Sequence, residues 1–328
     1  MRAYDPLIRN SHVATILANF WPRKYDFSAY PVESHLIQTD EDTKVLVQTQ
    51  RPPVTPIGHV VLLHGLEGSG GAGYIVSMAW HALQSGFIAH RFHMRTCGGT
   101  QAHCRTLYHG GLTSDLRRFL ETLERGGLPV CLIGFSLGGN VALKLAGELG
   151  ETELIQGVCA ISTPIDLAAG VRRIGRRDNM IYERRFLKRM RNRLFATGRY
   201  TRDQLNAARS LYEIDDRITA PSFGFSGADE YYATQSSQNF LERIRVPTLL
   251  IQAKDDTFIP FEMYRHHAIG ANPFIRLVAT EHGGHLGFLS RRGPRFWLDD
   301  TALDFLKGLI QGTPEETGKS CGALPAAR

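Results

Sequence analysis

Residues 130–149 read VCLIGFSLGGNVALKLAGEL. A short apolar run, Val130–Phe135, flows into Gly134-Phe135-Ser136-Leu137-Gly138, and a helical pattern, Leu137–Leu149, follows without a break. A turn this tight needs small residues on both sides of Ser136, because bulk at Gly134 or Gly138 would collide as the strand folds into the helix. G-x-S-x-G between a strand and a helix holds a serine hydroxyl clear of the sheet, at the C-terminal strand ends where open α/β sheets bind ligands. A chance pentapeptide at a strand–helix junction is the bland alternative, and the flanking patterns argue against it. Outward from this stretch lie further apolar runs at His59–Leu63, Phe87–Phe92, Leu154–Ile161, Val246–Gln252 and Phe274–Ala279. Runs this short and rich in Val, Ile and Leu suit strands buried on both faces. Helical patterns at Tyr74–Leu83, Thr113–Arg125 and Phe261–Ile269 fall between them, so the spacing predicts a mostly parallel sheet flanked by helices. Two alternating stretches within residues 35–50, around Asp40-Glu41-Asp42, predict an antiparallel edge hairpin after an irregular opening.

The chain has 328 residues, with 38 Lys and Arg against 32 Asp and Glu. Apolar residues at 43% and charged residues at 21% exclude a disordered or collagenous chain. No apolar run is long enough to span a membrane, and the opening residues lack the apolar core of a secretion signal. Five scattered cysteines without CxxC pairs argue against a disulfide framework or a zinc site and suit a reducing cytoplasm. The strand–helix alternation stops between residues 164 and 245, which read as an inserted helical cap. That divides the chain into a core part at 1–163, the cap at 164–245, a second core part at 246–312 and a mobile tail at 313–328. The cap carries sixteen Lys and Arg against ten Asp and Glu, an excess equal to the net charge of the whole chain. Ten of the basic residues lie in Arg172–Arg193, where Tyr182, Phe186, Met190 and Leu194 recur every four residues with Leu187 beside them. This reads as a cationic helix with one apolar stripe.

A serine is a weak nucleophile near neutral pH until a base takes its proton. Elbows of the G-x-S-x-G type draw their partners in the order serine, acid, histidine. The loop after Val246–Gln252 offers Asp255 and Asp256, and the loop after Phe274–Ala279 offers His282 and His285. His285 is preferred because the preceding Gly283-Gly284 pair lets the backbone turn its imidazole towards Ser136, whereas either aspartate could be the acid. The oxyanion of acyl transfer needs preorganised backbone N–H donors, each worth about 100- to 1000-fold. Leu137, directly after the serine, supplies one. The second is assigned to Leu66, in the loop His64-Gly65-Leu66-Glu67-Gly68-Ser69 after the first parallel strand. No Gly-Lys-Ser/Thr follows that loop, which disfavours a phosphate cradle.

HGLEGS at 64–69, MRTCGG at 94–99, YHGGLT at 108–113, GFSLGGN at 134–140 and HGGHLGF at 282–288 together resemble the YheT-like branch of the α/β-hydrolases. This branch is related to the animal ABHD-type carboxylesterases and lipases. The resemblance runs in register from about Arg9 to about Leu306. It implies an α/β-hydrolase fold with a helical cap, and a serine esterase or lipase-like activity without metal or organic cofactor. Hydrolase loops of this kind usually place the acid four residues before a proline, here Pro260, which selects Asp256. Two positions depart from the pattern: Thr96 stands where glycine is usual, and Thr257 where proline often follows the acid.

The expected activity is cleavage of carboxylic esters through an acyl-enzyme on Ser136, with His285 as base and then acid, Asp256 orienting it, and Leu66 and Leu137 binding the oxyanion. The expected partner is a small ester or acyl substrate. A thioesterase or acyltransferase would use the same three residues, and a non-catalytic binding protein could keep the same fold. His109 and Asp115 read as residues that fix their loop and cap the next helix. Cys97 reads as a packing residue before a reactive thiol, and the cationic segment as a solvated face before a contact for anionic membranes. Nucleic acid is excluded as a partner, since no recognised module accompanies the charge.

Overall fold

The computed structural model describes residues 3–312, so the tail expected at 313–328 lies outside the described residues. Eight strands form one sheet in the order β1-β2-β4-β3-β5-β6-β7-β8. The strands are β1 (Glu33–Asp40), β2 (Thr43–Gln50), β3 (Gly58–Leu63), β4 (Phe87–Phe92), β5 (Val130–Phe135), β6 (Gly157–Ile161), β7 (Thr248–Ala253) and β8 (Ile275–Thr280). β1 and β2 form the antiparallel edge, and from β4 to β8 all neighbours run parallel. β3, β5, β6 and β7 are buried along their whole length. Their alternate side chains feed two cores: Val61, Leu63 and Leu132 pack on one face, and Val60, Leu62, Ile133 and Phe135 on the other. Each such side chain contributes roughly 1.5–3 kcal/mol by leaving water, which is why unbroken apolar runs form this sheet.

The strand order places the site. After β3 the chain first pairs β4 on one side and later β5 on the other, so β3 and β5 flank a topological switch point. Ligands of open α/β sheets bind there, beyond the carboxyl ends of the strands. Leu63 pairs with Gly134, which sets the loop beginning at His64 beside the turn at Ser136. At the far side Ala253 pairs with Thr280, so the loops carrying Asp256 and His285 leave the sheet next to each other.

Helices α1 (Ser11–Phe20), α2 (Gly73–Gln84), α3 (Ser114–Thr122) and α4 (Leu137–Leu149) are followed, between β6 and β7, by α5 (Leu167–Ile174) and α6 (Met180–Ala196). Shorter helices at Arg202–Ala207, Leu211–Ile214 and Ala228–Gln235 also lie in that insertion. Several expectations need correction. The opening contains α1, whose N-terminus is capped by Asn10 Oδ1 accepting from Val13 N at 3.0 Å. The helix expected at 261–269 is a 3-10 turn, Phe261–Arg265, and a separate short helix, His267–Ala271, because His266 is extended and its ring accepts from Ala268 N. Residues 172–193 are not one helix: α5 ends at Ile174, and Asn179, buried and donating to Arg173 O and Thr257 O, turns the chain into α6. A long C-terminal helix, Trp297–Gln311, packs on the second core. Among the described residues no helix is long and apolar enough to cross a membrane.

Candidate active site

Ser136 sits between β5 and α4 at φ 51° and ψ −121°, a strained conformation for a residue with a side chain. The flanking glycines make it possible. A Cβ at Gly134 would press into Gly138 O, and one at Gly138 into Leu63 O, both backbone atoms with no freedom to yield. Gly65 also approaches closely, since a Cβ there would lie 3.1 Å from Ser136 Cβ.

Two N–H groups beside the serine remain unspent. In the loop after β3, Gly65 N donates to Tyr74 Oη at 2.9 Å and Glu67 N to Tyr108 Oη at 3.0 Å. Among the described residues nothing accepts from Leu66 N between them, or from Leu137 N at the start of α4. His64 stiffens the loop. Its Nδ1 lies 2.8 Å from Gly65 O and its Nε2 accepts from Met94 N at 3.2 Å, and burial pulls its pKa down to about 4, so it is held neutral.

Asp256 is fully buried, and both its oxygens lie 3.1 Å from His285 Nδ1. The carboxylate also accepts from Phe258 N at 2.8 Å, Ile259 N at 3.1 Å and Gln252 Nε2 at 3.2 Å, so its charge is matched by donors. With Nδ1 engaged as donor, Nε2 of His285 is left as the basic nitrogen. Asp255, the other candidate, bonds to the neighbouring loop instead. It accepts from Gly284 N at 2.9 Å and lies 3.3 Å from His282 Nδ1, and so ties down the loop that carries His285. Phe258 packs on the His285 ring, with centroids 4.5 Å apart.

Ser136, His285, Leu66 and Leu137 line one cavity of about 390 Å³. Its walls come from the sheet loops, from α1, and from Tyr182 and Phe186 of α6, two residues of the apolar stripe. Among the described residues no cluster of side chains is arranged to hold a metal ion.

Several contributors carried no local signal. Thr15 on α1 accepts from His285 N at 2.9 Å while donating to Ser11 O at 2.7 Å. Arg193, counted with a solvated cationic face, instead turns inward, its side chain only 10% exposed. Its guanidinium pairs with Glu67 at 2.7 Å, donates to Thr96 Oγ1 at 2.7 Å and lies over the Tyr108 ring. Thr96 itself has φ 61°, so this departure from the family pattern adds an acceptor for Arg193 at the cost of backbone strain. Asp115 does not cap α3; Arg95 holds it bidentately at 2.6 and 2.7 Å. His109 does fix its loop, accepting from Gly111 N at 3.1 Å. Cys97 is buried, and burial pushes its thiol up to about 12, so it packs rather than reacts.

The sheet order, the strained serine at the switch point and its cavity are those of one class of open α/β sheets. Residues 60–296 match the model of the alpha/beta hydrolase family, and the chain belongs to that family. Within it the chain falls in the YheT-like branch: it is 30% identical over 324 residues to YheT of Escherichia coli (strain K12), named as an esterase, covering 95% of this chain and 93% of that one. It is 27% identical to the monoacylglycerol lipase of Saccharomyces cerevisiae over 76% of this chain and 58% of that one. An esterase from Pyrococcus furiosus shares the fold, with a TM-score of 0.56 at 20% identity over 87% of this chain and 96% of that one.

Proposed function

We propose that the protein hydrolyses carboxylic esters through an acyl-enzyme on Ser136. The observation that carries this reading is that Ser136 and His285 share one largely apolar cavity with two unspent N–H groups beside the serine. Ser136 Oγ attacks the ester carbonyl while His285 Nε2 takes its proton, and Asp256 orients the ring and stabilises the imidazolium. The N–H groups of Leu66 and Leu137 meet the developing oxyanion. His285 then protonates the departing alcohol, and water, activated by the same imidazole, releases the acid. The cavity suits an apolar acyl chain of short to medium length. Residues 164–245 act as a cap over it, a reading supported by the Arg193–Glu67 pair that fastens α6 to the loop of Leu66. The esterase and lipase names among the relatives point the same way.

Hydrolysis of a p-nitrophenyl ester series from acetate to palmitate tests this. Activity should vanish in Ser136→Ala, and a fluorophosphonate should label the wild type but not that variant. Turnover surviving in Ser136→Ala, or a folded wild type that neither turns over nor labels, would overturn the reading. Added glycerol or thiol acceptors separate hydrolysis from acyl transfer by product. Peripheral contact with anionic membranes is a second reading, favoured because α1 exposes Val13, Ile16, Leu17 and Phe20 beside Arg185. It predicts co-sedimentation with phosphatidylglycerol vesicles that is lost in Phe20→Ser.

A further inference from the structure

The cavity in front of Ser136 has one-sided charge. Near the serine its walls are apolar, formed by Leu66, Leu137, Phe258 and Ile259, yet Arg23, Arg185 and Arg189 also line it, and none of its lining residues is Asp or Glu. Arg185 and Arg189 lie one turn apart on α6, so their side chains share one face of the helix. Both are exposed, which places them at the mouth. Other arginines of the segment that bear on the protein are spent: Arg173 pairs with Asp178, Arg193 with Glu67, and Arg191 donates to the carbonyls of Leu205 and Ala208. Arg185 touches only the Phe20 ring, with its guanidinium carbon 5.7 Å from the centroid, and among the described residues no hydrogen-bond acceptor or carboxylate partners Arg185 or Arg189. Arg23 donates to the carbonyl of Ala18 at 2.8 Å, and its Nε is buried without a partner. A solvated surface cluster would not need to converge on the one cavity that holds the serine, nor to exclude carboxylates from its lining.

We propose that the substrate is an ester whose non-reacting end carries an anion, held by Arg185 and Arg189 at the mouth while its apolar part extends towards Ser136. This rests on the ester-hydrolase reading above. Planar guanidinium forks match carboxylate and phosphate oxygens. At an exposed rim each contact contributes modestly and is screened by salt, so the two arginines together produce a preference of about tenfold.

The test compares matched pairs differing only by the anion: p-nitrophenyl hexanoate with p-nitrophenyl hydrogen adipate, and monohexanoylglycerol with its phosphate. The first pair places the charge on the acyl side and the second on the alcohol side. In 50 mM salt, kcat/KM for the anionic member of at least one pair should exceed the neutral one by about tenfold. That ratio should fall towards one in 500 mM salt and in the Arg185→Gln/Arg189→Gln variant, and recover in part with lysine at both positions. An unchanged thermal midpoint shows that the variant is folded. Equal turnover of both members in both pairs, or a preference that survives the double substitution, would overturn the anion site while leaving the esterase reading intact. No turnover of any of the four, together with no fluorophosphonate labelling, would overturn both.

Discussion

The Arg193–Glu67 pair joins α6 to the loop that carries the Leu66 N–H, and removing one partner is the sharpest test of how that loop is held. Side-chain exposure is 10% for Arg193 and 3% for Glu67, which puts the pair in the buried regime. An exposed ion pair contributes about 0–1 kcal/mol, whereas stranding one member of a buried pair costs about 3–5 kcal/mol. Arg193→Met leaves the Glu67 carboxylate beside Tyr108 without its cation, at a residue already held at φ 53°. Unfolding in urea should therefore show a loss of about 3–5 kcal/mol. Glu67→Gln with Arg193→Met removes both charges and should recover most of that loss, a coupling of about 2 kcal/mol or more. Because Leu66 is the neighbouring residue, fluorophosphonate labelling of Ser136 should slow in Arg193→Met as well, by up to about 100-fold for a displacement near 1 Å. Single variants within about 0.5 kcal/mol of wild type, with strictly additive effects, would refute the idea that this pair anchors the loop.

Four other substitutions and one pH scan separate the remaining roles. Asp256→Asn should lower kcat by about 10,000-fold, because the amide favours the wrong tautomer of His285; Asp255→Asn, which loosens only the loop through Gly284 and His282, should cost about tenfold or less. Gly138→Ala drives a methyl group into Leu63 O and should cost about 1–3 kcal/mol or prevent folding, read by the thermal midpoint. Thr15→Val leaves His285 N without its acceptor and should lower stability by about 1–3 kcal/mol together with kcat. On acidification from pH 6.5 to 4 the thermal midpoint should fall. Burial holds His64, His90, His93 and His109 at about 4, 3, 4 and 3, so the unfolded chain takes up protons there first and stability is lost. Burial raises Asp215 and Asp299 to about 6, which favours the folded state in acid, but four histidines, each moved at least as far as these carboxyls, outweigh two. A midpoint that rises towards pH 4 would contradict this balance.

The strands were legible because burial on both faces writes itself as an unbroken apolar run, and α4 because its helical pattern starts at Leu137, directly after the turn. Less legible was α1, whose large apolar residues Val13, Ile16, Leu17 and Phe20 face solvent while small Ala14, Thr15 and Ala18 face the protein. The continuous helix expected at 261–269 failed on one residue, His266, whose extended backbone no periodicity reports. Charge counting likewise could not tell Arg193, which turns inward, from Arg185 and Arg189, which do not, because all three carry the same side chain on the same helix.

Local chemistry by itself determined the mostly parallel sheet, its antiparallel edge and the strained turn at Ser136. Each depends only on the length of an apolar run or on the absence of side chains at Gly134 and Gly138, properties of neighbours in the chain. Tertiary structure alone decided that Thr15 holds the His285 backbone from 270 residues away, and that Arg193 reaches Glu67 across 126. Such contacts are set by sheet order and by the path of the insertion between β6 and β7, and no pattern within a few residues encodes where two distant loops come to meet.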